Sequence, residues 1–180
     1  MRVIAGSARG VPLVAPRDRG TRPITDRVKE TLFAILADRV TDARTLDLYA
    51  GSGAIGIEAL SRGAAHATFV EKARLALVAL HRNLERTQLR SLATVEASTV
   101  ERFLDQASGQ SWDLVFLDPP YDERAIVAPL HAVVPHLGPD AVVVIKHFWR
   151  AAVPEVPGLW PVRQRRFGET MLTFMEARNR

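Results

Sequence analysis

Four consecutive residues, Asp118-Pro119-Pro120-Tyr121, combine an acid, a rigid carbonyl and an aromatic ring. The two prolines fix φ and remove two N–H donors, which gives a stiff turn with outward-facing carbonyls. Such a set suits the handling of an amine. An exocyclic amine on a heterocyclic base is a poor nucleophile, because its lone pair is delocalised into the ring. Two acceptors on its hydrogens, the Asp118 carboxylate and the Pro119 carbonyl, would hold the nitrogen toward tetrahedral geometry with the lone pair free to attack. Positioning and electrostatics then carry most of the rate. Asp118 can also take up the released proton. Tyr121 offers a face for stacking the base, worth roughly 1–3 kcal/mol. A paired base would first be flipped out of its stack. The plainer reading, a Pro-Pro loop with a helix-capping Asp, does not account for the position of the motif at the end of a strand.

A second constellation lies in Leu46-Asp47-Leu48-Tyr49-Ala50-Gly51-Ser52-Gly53-Ala54-Ile55-Gly56. Gly51, Gly53 and Gly56 spell G-x-G-x-x-G between a strand and a helix, where backbone can approach a ligand closely. Alone, that spacing is the dinucleotide fingerprint, and NAD is one reading of it. Asp47 argues against NAD: at the strand end, ahead of the glycines, its charge would repel a pyrophosphate. It suits a cationic ligand, such as one carrying an ammonium and a sulfonium. Glu71 ends the next strand, where a carboxylate can accept hydrogen bonds from both hydroxyls of a ribose. Ser98 and Thr99 follow the third strand, where a polar group would meet an adenine amino group. An ordinary helix cap explains that pair equally well.

The elements that position these residues alternate. Strands are expected over Thr45–Leu48, Ala67–Glu71, Ala93–Ala97, Leu114–Leu117 and Val142–Lys146, with helices over Ala54–Ser61, Arg74–Thr87, Val100–Gln106 and Ala125–His136. Alternation of this kind means a parallel sheet wrapped by helices. Val162–Phe167 and Met171–Glu176 flank a Gly168-Glu169-Thr170 turn and read as an antiparallel hairpin. Upstream, Val28, Leu32, Ile35 and Leu36 mark one apolar helix face, with Thr25 as its N-cap. Arg2–Ala5 and Val11–Val14 around a Gly6–Gly10 turn read as an N-terminal β-hairpin.

The 180 residues are enough for one core. There is no cysteine, which excludes disulfides, Cys-based zinc sites and a cysteine nucleophile. No apolar run approaches the ~20 residues of a membrane span, and residues 1–6 show no secretory pattern, so a cytoplasmic protein is expected. The formal charge is +4, and only Lys29, Lys72 and Lys146 among the 24 cationic residues are lysine. Arg2, Arg9, Arg17, Arg19, Arg22 and Arg27 precede position 30, and Arg163, Arg165, Arg166, Arg178 and Arg180 lie in the tail. Codon bias explains part of the excess. Basic ends around a less charged middle also suit a polyanion.

Asp47, Gly51, Gly53 and Glu71 together resemble the S-adenosylmethionine site of class I methyltransferases. Asp118–Tyr121 resembles the [N/D]-P-P-[Y/F] signature of enzymes that methylate adenine N6, cytosine N4 or guanine N2. With Arg2–Ser7, Thr21–Glu30, Leu46–Gly53 and Glu58–Ala64, the chain resembles the bacterial RsmD-type 16S rRNA guanine-N2 methyltransferases along nearly its whole length. The resemblance implies a single-domain α/β fold of the class I, Rossmann-like type. Its mostly parallel seven-stranded sheet carries an antiparallel C-terminal hairpin. It also implies an N-terminal arm (1–23) that grips RNA through Arg2, Arg9, Arg17, Arg19 and Arg22, and a methyltransferase domain (24–180).

The implied catalytic residues are Asp118, Pro119, Pro120 and Tyr121. The implied S-adenosylmethionine contacts are Asp47, Tyr49, Gly51, Ser52, Gly53, Glu71, Lys72, Ser98 and Thr99, with no metal. The implied partner is 16S rRNA or the 30S subunit, met by a monomer with no membrane association. The chain departs from the family pattern at Ile24, where Thr is usual. It departs again at Lys146, where the fifth strand commonly ends in Glu, and at Ser98-Thr99, which lacks Asp or Asn. His147 has two readings, a substrate ligand and, more plainly, a surface or capping histidine. Two other readings stand beside this one: a DNA adenine-N6 methyltransferase, and a non-catalytic RNA-binding assembly factor.

Overall fold

A computed structural model describes residues 1–16, 24–119 and 124–178. Its helices are α1 (Asp26–Leu36), α2 (Ala54–Ser61), α3 (Arg74–Arg86), α4 (Val100–Gln106) and α5 (Arg124–Val133). Its strands are β1 (Arg44–Leu48), β2 (His66–Glu71), β3 (Ala93–Ala97), β4 (Trp112–Leu117), β5 (Leu137–Phe148), β6 (Leu159–Phe167) and β7 (Thr170–Ala177). One seven-stranded sheet has the order β3-β2-β1-β4-β5-β7-β6. The first five strands are parallel; β7 runs antiparallel to β5 and to β6. This is the expected fold.

Strand alternation divides the core between two faces. Leu46, Leu48, Val115, Leu117, Val143 and Ile145 pack with Val100 and Phe103 of α4 and Leu130 of α5. Phe69, Phe116, Val144 and Phe174 pack with Leu32 and Phe33 of α1, Ile57 of α2 and Leu80 of α3. Burial on both faces is why the central strands read as unbroken apolar runs. β5 begins five residues before the expected start at Val142, because Gly138–Asp140 lies in a pairing irregularity against Trp112–Leu114 where Asp140 takes φ 59°. Thr25 caps α1 as expected, accepting from the Val28 N–H.

The N-terminal hairpin differs from expectation. Only Arg2 and Pro12 form a bridge, although Val3 donates to Val11 and Leu13 to Met1. Regular pairing stops because the next two N–H groups are taken elsewhere: Ile4 and Ala5 donate to Glu58 Oε2 (2.8 Å) and Oε1 (3.0 Å). Glu58 also receives Lys29 Nζ at 3.1 Å and Arg62 Nε at 2.8 Å, and Lys29 donates further to the Arg2 carbonyl. The Lys29 and Glu58 side chains are fully buried. The arm thus lies along α2, every residue of which is buried. Ser7 and Ala8 donate to the Ser61 carbonyl and hydroxyl. At Gly6 (φ 83°) a Cβ would lie 1.6 Å from the Ser61 carbonyl oxygen, so no other residue allows this approach.

Removing one partner of a buried ion pair typically costs about 3–5 kcal/mol, because the other charge is stranded. Glu58→Gln and Lys29→Met should each lose about that much in urea unfolding. The double variant should lose clearly less than the two losses added, because they share one interaction. Additive losses would show that the pair does not act as a unit.

Candidate active site

Strand register brings the two constellations together. Leu48 is level with Val70 of β2 and Leu117 of β4, and Leu117 is level with Ile145 of β5. The glycine loop, Glu71, Asp118 and Lys146 therefore leave one rim of the sheet, at strand spacings of about 4.8 Å. The Asp118 N–H reaches back to the Leu48 carbonyl at 3.4 Å. Asp47, level with Phe69 and Phe116, lies on the α1–α3 face.

The glycine loop keeps its donors to itself. Gly51 N–H donates to Glu71 Oε2 at 2.8 Å, Gly53 N–H to the Ala50 carbonyl at 2.8 Å, and Gly56 N–H to Asp47 Oδ2 at 2.9 Å. A dinucleotide pyrophosphate needs such N–H groups turned outward at a helix N-terminus. Here the N–H groups of all three glycines of the motif are committed internally, which counts against the NAD reading. Gly56 is also a packing requirement, since a Cβ there would sit 2.4 Å from the Phe69 ring. Glu71 is fixed by two more donors, Lys72 and Ala73 N–H, both at 2.8 Å to Oε1.

Charge at this rim is unbalanced. Burial pushes the Asp47 carboxyl up to about 8; the Gly56 N–H opposes this, and the Asp118 and Glu71 charges add to it. Asp47 is thus not the open carboxylate expected at a strand end but a buried group that holds the first turn of α2. Burial also raises Asp118, and the Lys146 ammonium works against that rise. Lys146 Nζ stands 2.7 Å from both Asp118 oxygens. Among the described residues, three acidic groups and one close ammonium make a site that fits a cationic ligand, which would favour ionised Asp47, better than an anionic one.

Other expected contacts divide. Ser52 is buried in the loop, and Lys72 lies exposed at the rim. Tyr49 holds φ 61°; its phenol is pushed up to about 12 by burial and by Glu101 of α4, with which it shares a hydrogen bond. Thr99 caps α4 by accepting from Arg102 N–H, and the Ser98 hydroxyl donates to the Thr99 carbonyl. Arg2 and Arg9 are exposed on the arm. Pro119 is buried beside Asp118. Pro120, Tyr121, Arg17, Arg19 and Arg22 lie outside the described residues. His147 is buried within β5, with Nδ1 against the Phe148 carbonyl and Nε2 against the Thr173 hydroxyl, so it is neither a surface histidine nor a helix cap. Burial lowers its pKa.

Sequence reasoning missed Lys146 as part of the site, and it missed Asn83. Asn83 takes the Val14 N–H and donates to both the Val14 and Ser52 carbonyls, tying the arm to the glycine loop. Both left a signal. One is a lysine closing an otherwise apolar strand, and the other is an amide next to the apolar stripe of α3. On the sheet edge, β6 exposes Arg163, Arg165 and Arg166, and the Arg166 guanidinium stacks on Trp149 at 3.6 Å.

The profile of the family described as conserved hypothetical protein 95 matches residues 1–176. The Bacillus subtilis (strain 168) protein named "Putative rRNA methyltransferase YlbH" is 37% identical over 183 residues, spanning 99% of this chain and 100% of that protein. Ribosomal RNA small subunit methyltransferase D of Escherichia coli (strain K12) is 36% identical over 166 residues, 91% of this chain and 83% of its own length. The solved structure described as "Putative methyltransferase yhhF from Escherichia coli" superposes with a TM-score of 0.88 at 36% identity, covering 98% of this chain and 97% of that one. Family profile, relatives and fold agree over nearly the whole length, and the chain belongs to the conserved hypothetical protein 95 family, the RsmD-type methyltransferases.

Proposed function

We propose that the protein methylates the exocyclic N2 amine of a guanine in 16S rRNA, using S-adenosylmethionine, and that it does so as a monomer in the cytoplasm on the 30S subunit. The observation that carries this reading is the placement of an acid-lined glycine loop and the Asp118 turn on adjacent strand ends of one rim. The names of the relatives supply the RNA class.

When bound, S-adenosylmethionine supplies an electrophilic methyl group on a sulfonium. Glu71, already braced by three backbone N–H groups, keeps about one of its four lone-pair sites, on Oε2, for a ribose hydroxyl. Gly51, Ser52 and Gly53 present backbone to the ligand, and Asp47 holds the loop and supplies negative charge beneath it. Tyr49, Lys72, Ser98 and Thr99 border the remaining surface. Asp118 and the Pro119 carbonyl accept the amine hydrogens, and Asp118 takes the proton that the nitrogen sheds as it is methylated. The resemblance assigns Pro120 and Tyr121 to the same motif, with Tyr121 as the residue that stacks the base. Residues 1–23, with Arg2, Arg9, Arg17, Arg19 and Arg22, form the RNA-facing arm on the domain of residues 24–180. The arginines of β6 extend that basic surface along the sheet edge.

Three outcomes are expected. Purified protein should move a labelled methyl group to hypomethylated 30S subunits, and nucleoside digestion should yield N2-methylguanine. N6-methyladenine would instead favour the DNA-type chemistry, and no transfer to 30S, naked rRNA or DNA would sink the proposal. Asp118→Ala should lower kcat by about 10²–10³ while S-adenosylhomocysteine still binds.

Binding of that ligand, which keeps an ammonium, should favour ionised Asp47. Because this carboxyl titrates at about 8 in the free protein, a proton should be released near pH 7 and affinity should rise as pH rises toward 8. Calorimetric heats independent of the buffer's ionisation enthalpy would contradict this. Arg163→Ala and Arg165→Ala should each flatten the salt dependence of RNA binding by roughly 0.7–0.9 in slope if each meets a phosphate. An unchanged slope would remove β6 from the RNA surface.

A further inference from the structure

Lys146 is not needed by the acceptor pair that holds an amine, yet it sits against the acid of that pair. It closes β5 after the apolar run Ala141–Ile145, on the sheet face that also carries Asp47 and Asp118. Its side chain is only 10% exposed, and that of Asp118 is 28% exposed. Both carboxylate oxygens lie 2.7 Å from the one ammonium. Among the described residues, Asp47 on the neighbouring β1 feels the charges of both Asp118 and Glu71, the latter on β2 at its other side. On its far side Lys146 is level with Leu172 of β7.

We propose that Lys146 is a positioning residue for the methyl transfer, bridging both oxygens of Asp118 and so holding that carboxylate ionised and in one plane for the target amine. The proposal rests on the function given above.

A carboxylate has about four lone-pair sites. The ammonium occupies one on each oxygen through short, charge-assisted contacts, which leaves one on each for an incoming N–H. A neutral carboxyl would turn one oxygen into a donor, and it would then face the amine with the wrong polarity. Burial pushes Asp118 toward that neutral form, and the Lys146 ammonium opposes it. The bridge also stops the carboxylate from rotating about its Cβ–Cγ bond, so the acceptor keeps its direction before the base arrives.

The sign of the pH effect follows. Asp118 has to be ionised, so single-turnover methylation of 30S subunits falls as pH falls through its titration. In Lys146→Met, and in the polar Lys146→Gln, that acid limb should move to higher pH by about one unit or more. The rate above the limb should also drop, because the carboxylate is free to turn. Lys146→Arg should restore the limb and recover only part of the plateau, since a fork replaces a point charge. The carboxyl carbon resonance of Asp118, identified by its loss in Asp118→Asn, should titrate with the same displacement in protein without RNA. A role in packing alone would lower the melting temperature and leave both titrations in place, and that result would overturn the proposal. Equal limbs in the Arg and Met variants would do so too. A wild-type protein that transfers no methyl group to any substrate would overturn the function itself. An active one whose Met and Gln variants keep the wild-type limb would overturn only the role of Lys146.

Discussion

Burying the Glu58 carboxylate would cost several kcal/mol if it were left alone, and the N-terminal third of the chain is arranged to meet it. Its four partners come from three places: the arm through two backbone N–H groups, α1 through Lys29, and the end of α2 through Arg62. This arrangement accounts for a helix that would otherwise be hard to explain. α2 is nearly apolar on every side, and such a helix is stable only when covered all round. The sheet covers one side and the arm the other. The residues that carried the family resemblance in Glu58–Ala64 and in Lys29 are therefore docking residues for the arm, and the helix they fix begins at the glycine loop.

The rim follows a different rule. Parallel strands end together, so side chains that close neighbouring strands meet whatever their sequence separation. Asp47, Glu71 and Asp118 are brought side by side in this way, and the repulsion among them raises Asp47 beyond what burial does. The fold offsets this in two ways, with backbone N–H groups at Asp47 and Glu71 and an ammonium at Asp118. The carboxylates are held by donors below and beside them, and a positive charge is still favoured above. That leaves a place for a cationic ligand and explains why the glycines, despite their spacing, do not form a phosphate cradle.

Much of this was legible from residue order. The Asp118 motif fell at the end of β4, and α2, β3 and α4 kept their expected bounds, because apolar period and glycine punctuation act locally. The arm was less legible. Its alternation predicted a regular hairpin, but the N–H groups of Ile4 and Ala5 go to a side chain more than 50 positions away, which no local pattern encodes. Lys146 failed for a similar reason. Its partner lies 28 residues earlier on an adjacent strand, so the lysine read as a departure from a family pattern and not as half of a pair. Thr99 shows the converse: a polar residue after a strand fits a ligand contact and a helix cap equally well, and the cap is the use the structure shows.

Asn83 joins the two regions. Its amide oxygen takes the Val14 N–H at 2.7 Å, while its nitrogen gives one hydrogen to the Val14 carbonyl and one to Ser52 in the glycine loop, both at 2.9 Å. A buried amide can make few bonds beyond these, so loop and arm are fastened through a single side chain with little slack. The arm is therefore not an appendage on a finished domain. One end is locked to the C-terminal half of α2 through Glu58 and Ser61, and the other to the loop that starts α2 through Asn83. The arm is thus tied to both ends of that helix, directly at its C-terminal half and through Asn83 at the glycine loop that starts it.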